Sequence, residues 1–250
     1  MHSRSLIVNE INFVVMTANC PMAQLARDLG FATIHPESGS SAGDLTYNHA
    51  FELVTKYSKT PIVGFANSDI IFLDNFAVAL RAVLADPRHK QWKKFFLTGV
   101  RKNVDVPDDI MPMDRPIDSK IWKNFTTFIS SHGTMFQDIT ADYFLWSRQG
   151  DWDWRSLPPF LIGGIGFDNW IVGWASGTGG IETINITPLV DAIHVNHGSG
   201  GLKLYGSHFS PASHLNEEVF KKFGMVGSCD VKDLDWAVKS ENGKPFLKHQ

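Results

Sequence analysis

Residues 61–76 read PIVGFANSDIIFLDNF, and the fold turns on how this stretch is parsed. An apolar run, Ile62 to Ala66, delivers the polar triplet Asn67, Ser68 and Asp69. Ile70, Ile71, Phe72 and Leu73 resume the run, and Asp74 and Asn75 cap the next segment. A buried strand therefore ends in a carboxylate. In an open α/β sheet, ligands collect beyond the carboxyl ends of the strands, where an acid can hold a hydrated divalent cation and, through it, phosphate oxygens. The same three polar residues also suit a turn between two strands. Taken alone, the stretch leaves both readings open.

Working outward from it, the flanking segments alternate in period. INFVVM (11–16) reads as a strand, PMAQLARDL (21–29) as a helix with Pro in its first turn and Gly30 beyond its end, and FATIHPE as a second short strand. A polar loop, Ser38 to Asp44, leads to the helix LTYNHAFELVTKYS with Asp44 as its cap. FAVALRAVLADP is a helix stopped by Pro87, and FFLTGVRKNVDV reads as one further strand. Strand and helix thus alternate to about residue 105, which predicts an α/β fold with a central, mainly parallel sheet flanked by helices and strand 61–66 in its interior. Beyond it, SKIWKNFTTFISSHG is an amphipathic helix, ADYFLWSR a strand, and LIGGIGFDNWIVGWAS a Gly-rich turn entering a helix with Asp168 at its start. IETINIT and LVDAIHVNH are two more strands. From Gly198 the signals weaken: LNEEVFKKFG is one or two helical turns and the last stretch a polar tail. The chain is expected to be one domain, residues 1–250, in two halves, 11–105 and 106–205, with a C-terminal extension, 206–250.

Composition narrows the function. A formal net charge of -3 and the lack of any basic run give no footprint for nucleic acid or an anionic membrane surface. The longest apolar runs are strand-sized, and the N-terminus MHSRSLIVNEIN lacks the apolar core of a signal peptide, so no membrane segment and no leader are expected. Cys20 and Cys229 are too far apart for a zinc motif. No nucleophile elbow, P-loop or His-Glu-x-x-His motif occurs, and GGIG lacks the spacing of the dinucleotide fingerprint.

Four polar groups remain at strand ends or Gly-rich turns: Asn67 with Asp69, Asp142, Asp168 with Asn169, and His194 with His197. Each has an ordinary reading as a turn cap, a helix N-cap or a surface histidine. Together they are a ligand set that Mg²⁺ or Mn²⁺ accepts when phosphates complete its sphere. The aromatics Trp146, Trp152, Trp154, Phe160, Phe167, Trp170 and Trp174 either fill a core or stack on sugar faces.

FANSDIIFLDNF, FFLTGVRKNVDV, ADYFLW, LPPFLIGGIGFDNWIVGWA and LVDAIHVNHGSGG resemble, in order and spacing, nucleotide-sugar glycosyltransferase-like proteins of the GT-A fold. The likeness spans roughly residues 11 to 205 and rests on an N-x-D variant of the DxD motif, a PPF…G…DNW block and an H-x-N-H segment. It implies that Asp69 binds a divalent metal, Mn²⁺ or Mg²⁺, with His194 or His197 completing the sphere. It implies a donor side of Asn67, Ser68, Asp69, Gly99, Arg101 and Asp142, and an acceptor side of Gly163, Gly164, Asn169 and Trp170. Asp168 is the implied catalytic base. The expected activity is a metal-dependent glycosyltransferase moving a sugar from a nucleoside-diphosphate sugar to a hydroxyl of a carbohydrate or glycoconjugate acceptor. Relatives carry a further strand and helix ahead of INFVVM. The alternative is therefore a non-catalytic carbohydrate- or nucleotide-binding protein on a GT-A scaffold without that first βα unit. A metal-dependent phosphodiester hydrolase would fit the Asp and His content but not the Gly/Trp block.

Overall fold

The computed structural model describes residues 11–36, 45–111, 117–137, 140–196, 210–224 and 226–250. Those residues form a mixed α/β fold in which a six-stranded sheet, a four-stranded sheet and a two-stranded sheet are flanked by six helices.

The first unit is β1 (Val14–Met16), α1 (Cys20–Asp28) and β2 (Ala32–Ile34), with β1 and β2 parallel. Asn19 caps α1, its side chain accepting from Met22 N, and Pro21 sits in the first turn, where its missing N–H is not needed. Helix α2 (Tyr47–Tyr57) follows, with Thr46 at its N-cap; Asp44, the expected cap, lies outside the described residues.

The stretch 61–76 supplies β3 (Ile62–Ala66), a turn in which Ile70 N donates to Asn67 O, β4 (Ile70–Phe72) and the start of α3 (Asn75–Ala85). Both readings of the triplet therefore hold locally. The turn is real, but it does not close a hairpin: β3 belongs to the six-stranded sheet and β4 to the four-stranded one. The expected single strand FFLTGVRKNVDV divides in the same way, into β5 (Lys94–Thr98) and β6 (Lys102–Val104) on either side of Gly99 to Arg101. Two chain segments thus cross between the sheets at one place.

Next come α4 (Ser119–His132), capped by Asp118 through two backbone N–H groups, then β7 (Thr134–Met135) and β8 (Tyr143–Ser147). Helix α5 (Phe167–Gly177), β9 (Ile181–Asn185) and β10 (Ala192–Val195) follow. Helix α6 (Pro211–Phe223), β11 (Trp236–Glu241) and β12 (Lys244–His249) end the chain. The large sheet runs β12-β11-β9-β5-β8-β3, the smaller one β4-β10-β6-β7.

Four expectations are corrected here. The large sheet is mixed rather than mainly parallel: β9 lies parallel to both β5 and β11, whereas β8 runs antiparallel between β3 and β5 and β12 antiparallel to β11. Apolar patterning marks a buried strand but carries no sign for its direction. Among the described residues β3 stands at the end of the sheet, not inside it. The polar tail is a hairpin, whose turn places Asn242 at φ 49° and Gly243 at φ 74°, the pair of left-handed residues a tight two-residue hairpin requires. In the same region α6 has thirteen residues, with Ser210 as N-cap and Pro in its first turn, where one or two turns were expected.

Both faces of the large sheet are covered. On β8, Phe144 and Trp146 enter a core with Phe51, Phe96, Trp154, Phe160, Phe167 and Ile171. Tyr143 and Leu145 point to the other face, with Phe76, Val83, Phe95, Leu97 and Val238. The seven aromatics of the second half belong to or pack against the first of these cores. A smaller core of Leu73, Val104, Phe125, Ile129 and Ile193 lies between α4 and the four-stranded sheet.

Candidate functional site

The polar residues singled out by sequence converge where the two large sheets meet. In the β3·β8 ladder Ala66 pairs with Tyr143, so Asn67 and Asp142, one step beyond it, face each other at one sheet end. Asn67 N donates to Asp142 O at 2.9 Å and Asn67 Nδ2 to Asp142 Oδ1 at 3.0 Å. Strand β5 arrives at the same end, because Thr98 pairs with Phe144, and its exit brings Arg101 to donate to the same Oδ1 at 2.6 Å. Arg101 Nε bonds Asn103 Oδ1 at 2.9 Å, and its guanidinium lies 4.6 Å from the Phe136 ring centre, so the cation is held by an amide and an aromatic face as well as by the carboxylate.

The small sheet adds the other half. His194 pairs with Ile70 on β4 and with Asn103 on β6, which sets its imidazole next to the residue preceding Ile70. His194 Nε2 lies 3.3 Å from Asp69 Oδ2, with the histidine side chain 13% and the aspartate side chain 41% exposed. An oxygen and a nitrogen 3.3 Å apart match two neighbouring corners of an octahedron with metal–ligand bonds of about 2.1–2.3 Å. The pair thus fits a hard divalent cation whose remaining corners come from a ligand or water. Among the described residues no group of three His, Cys, Asp or Glu side chains assembles that could hold a metal ion. His197 lies outside the described residues.

Asp168 is not the N-cap of its helix. Gly166 is, at φ 92°, a backbone that L side chains avoid, and Asp168 is the second residue of the first turn. The backbone N–H groups of Asn169 and Ala141 favour its ionised form. Burial nevertheless pushes its pKa above the ordinary carboxylate range, and the nearby charge of Asp142 adds to the rise. Withdrawal from water thus outweighs the favourable backbone N–H groups. Asp142 also titrates high, again chiefly from burial. The Arg101 charge and the Asn67 hydrogen bond oppose that rise, and the Asp69 charge reinforces it. Its Oδ2 is buried with no hydrogen-bond partner among the described residues.

Tyr47, absent from the sequence reading, closes this side. Its ring stacks on Phe167 at 3.7 Å, and burial with the negative charges of Asp168 and Asp142 raises its phenol strongly. Asn103 and Phe136 were missed as well. An isolated Asn in a short strand and a Phe after a two-residue strand carry no signal of their own, and only the crossing between sheets brings them to Arg101.

Other expected site residues lie elsewhere. Ser68 is exposed in the turn beside Asp69, Asn169 follows Asp168 on α5, and Gly163 is exposed at φ 87°. Gly99 is buried, and a Cβ there would stand 2.2 Å from the Tyr143 hydroxyl and 2.9 Å from Thr187 Oγ1, so its lack of a side chain serves packing. Trp170, expected to face an acceptor, is 3% exposed and packs with Phe160 and Trp174 in the core. Gly164 meets α6 rather than open space, since a Cβ would lie 2.5 Å from Asn216 Nδ2 and 2.6 Å from Ala212 O.

The arrangement thus joins three carboxylates, one guanidinium and one imidazole at a sheet end, and burial raises two of the carboxylates, Asp142 and Asp168. No protein-family model matches the chain, and no curated protein or solved structure does either.

Proposed function

We propose that this sheet end binds a nucleoside-diphosphate sugar through a divalent cation and transfers the sugar to an acceptor hydroxyl. The observation that carries the reading is the Asp69–His194 pair at the sheet end where Arg101 holds Asp142. Asp69 and His194 are the residues that would hold Mn²⁺ or Mg²⁺. The ion, when bound, would offset negative charge on the departing diphosphate. With only two protein ligands the pair suits a cation that arrives with the nucleotide, and weak metal binding without it is expected.

Asp142, fixed by Asn67 and Arg101, keeps one oxygen uncommitted for a sugar hydroxyl. Asp168 accepts the acceptor's proton. A carboxylate whose pKa burial raises is a stronger base than an ordinary one. Tyr47, neutral under those conditions, packs beside it through Phe167 and limits water.

The test is Asp168→Asn assayed for transfer from a panel of sugar nucleotides. The amide is close to the carboxylate in size and shape, so the variant should fold with near-native melting temperature and keep donor binding. Its rate should fall by roughly 10²–10⁴-fold, the usual contribution of a general base. A variant retaining most of its transfer would remove Asp168 from the chemistry. The separation of the β1–β2 pair from the large sheet among the described residues favours a second reading, a non-catalytic nucleotide- or sugar-binding protein. Donor binding by a wild type that turns over no sugar nucleotide would select it.

A further inference from the structure

The segment that launches Asp168 is gripped by a helix from the C-terminal region, α6 (Pro211–Phe223). Asn216, on α6, is 1% exposed, and its amide makes both contacts that a strand neighbour would: Oδ1 accepts from Leu161 N at 2.7 Å, and Nδ2 donates to Leu161 O at 2.9 Å. One turn earlier, Ser213, 4% exposed, accepts from Ile165 N at 3.3 Å. Gly164 lies so close between them that any side chain would collide with Ala212 and Asn216. From the other side the same segment is tied to the entry of α2: Leu161 bridges Thr46, Ile162 N donates to Leu45 O, and Tyr47 N to Phe160 O. Gly166 and Asp168 come directly after it.

We infer that Asn216 is a positioning residue, acting with Ser213 through residues 161–166 to fix the start of α5 and so the place of the Asp168 carboxylate that follows it. An amide buried this deeply and used entirely on one loop residue is a costly way to cap an exposed turn, since its loss strands two buried backbone groups. It is economical if the loop must deliver a carboxylate to within a fraction of an ångström, where misplacement by about 1 Å can cost on the order of 10²-fold in rate. The inference rests on the base assigned to Asp168 for its kinetic consequence, but its geometric content does not.

The experiment compares Asn216→Leu, Asn216→Asp and Ser213→Ala with Thr183→Val. The last is a control that breaks the two hydrogen bonds of the Thr183 hydroxyl with Asp235, which join β9 to the segment before β11 rather than to the loop. Two readouts are taken on folded protein: the titration of the Asp168 carboxyl by ¹³C NMR, assigned with Asp168→Asn, and kcat against donor KM. Asn216→Leu should move the Asp168 titration down, because a released loop returns the group to water. It should lower kcat roughly 10- to 100-fold with donor KM unchanged, and the control should do neither. Should Asn216→Leu not fold, Asn216→Asp, which keeps the Leu161 N–H bond, and Ser213→Ala should show the same shifts to a smaller degree. An Asp168 titration unchanged in folded variants overturns the inference. If the wild type transfers no sugar, the NMR arm alone decides this inference, and the failure belongs to the proposed reaction.

Discussion

At the residue scale the site is a problem of buried charge. Asp142 and Asp168 both titrate above the ordinary range because burial disfavours their ionised forms, so the folded chain holds protons more tightly than the unfolded one. Their stabilising contribution is complete below the unfolded carboxyl pKa and is lost as pH rises through their folded values. In denaturant melts the wild type should therefore lose stability relative to Asp168→Asn as pH rises from about 4 through the weakly acidic range. The acid limb of kcat/KM should lie above an ordinary carboxylate's pKa. Tyr143 gives a second test. Its hydroxyl is buried beside Gly99 with no hydrogen-bond partner among the described residues, so Tyr143→Phe should be within about 1 kcal/mol of wild type or more stable in urea. Gly99→Ala, which forces a methyl onto that hydroxyl, should cost about 1–3 kcal/mol. Asp69, Asp142, Asp168 and His194 were legible as polar breaks in apolar runs. Tyr47 and Asn216 were not, because a Tyr in an amphipathic helix and an Asn in a polar one look like any others until the partner across the fold is known.

At the scale of elements, capping and period located five of the six described helices with their ends near the expected residues; α6 was recognised but made too short. Strand direction was the failure. ADYFLWSR is apolar on both faces whether it runs with or against its neighbours, and its antiparallel insertion between β3 and β5 is fixed by the chain's route through α4 and β7. The closing hairpin was legible and was overlooked: Asn242-Gly243 between Trp236–Glu241 and Lys244–His249 is the strongest short-range hairpin signal there is. Gly243→Ala, at φ 74°, should lower stability by about 1–2 kcal/mol in a thermal or denaturant melt. The same change at Gly179, which no described residue crowds and whose φ is not positive, should be much milder.

For the molecule as a whole, the region expected to be an appendage completes the structure. Strands β11 and β12 extend the large sheet beyond β9; Val231 and Leu234 enter one core, Val238 and Leu247 the other, and α6 holds the Asp168 loop. A chain ending at residue 225 should fail to give a cooperative melt. Among the described residues no helix is long and apolar enough to cross a membrane. What the fold assembles is one end of a sheet where Asp69, Asp142, Asp168, Arg101 and His194 meet, and the central claim is that a cation and a nucleotide bind there together. Calorimetry with UDP and GDP, each titrated with and without Mn²⁺, tests it most directly. We expect heat of binding only when metal and nucleotide are both present, abolished by Asp69→Ala in a variant that melts like wild type. Binding of neither nucleotide in the presence of Mn²⁺, or binding that survives Asp69→Ala, would contradict it.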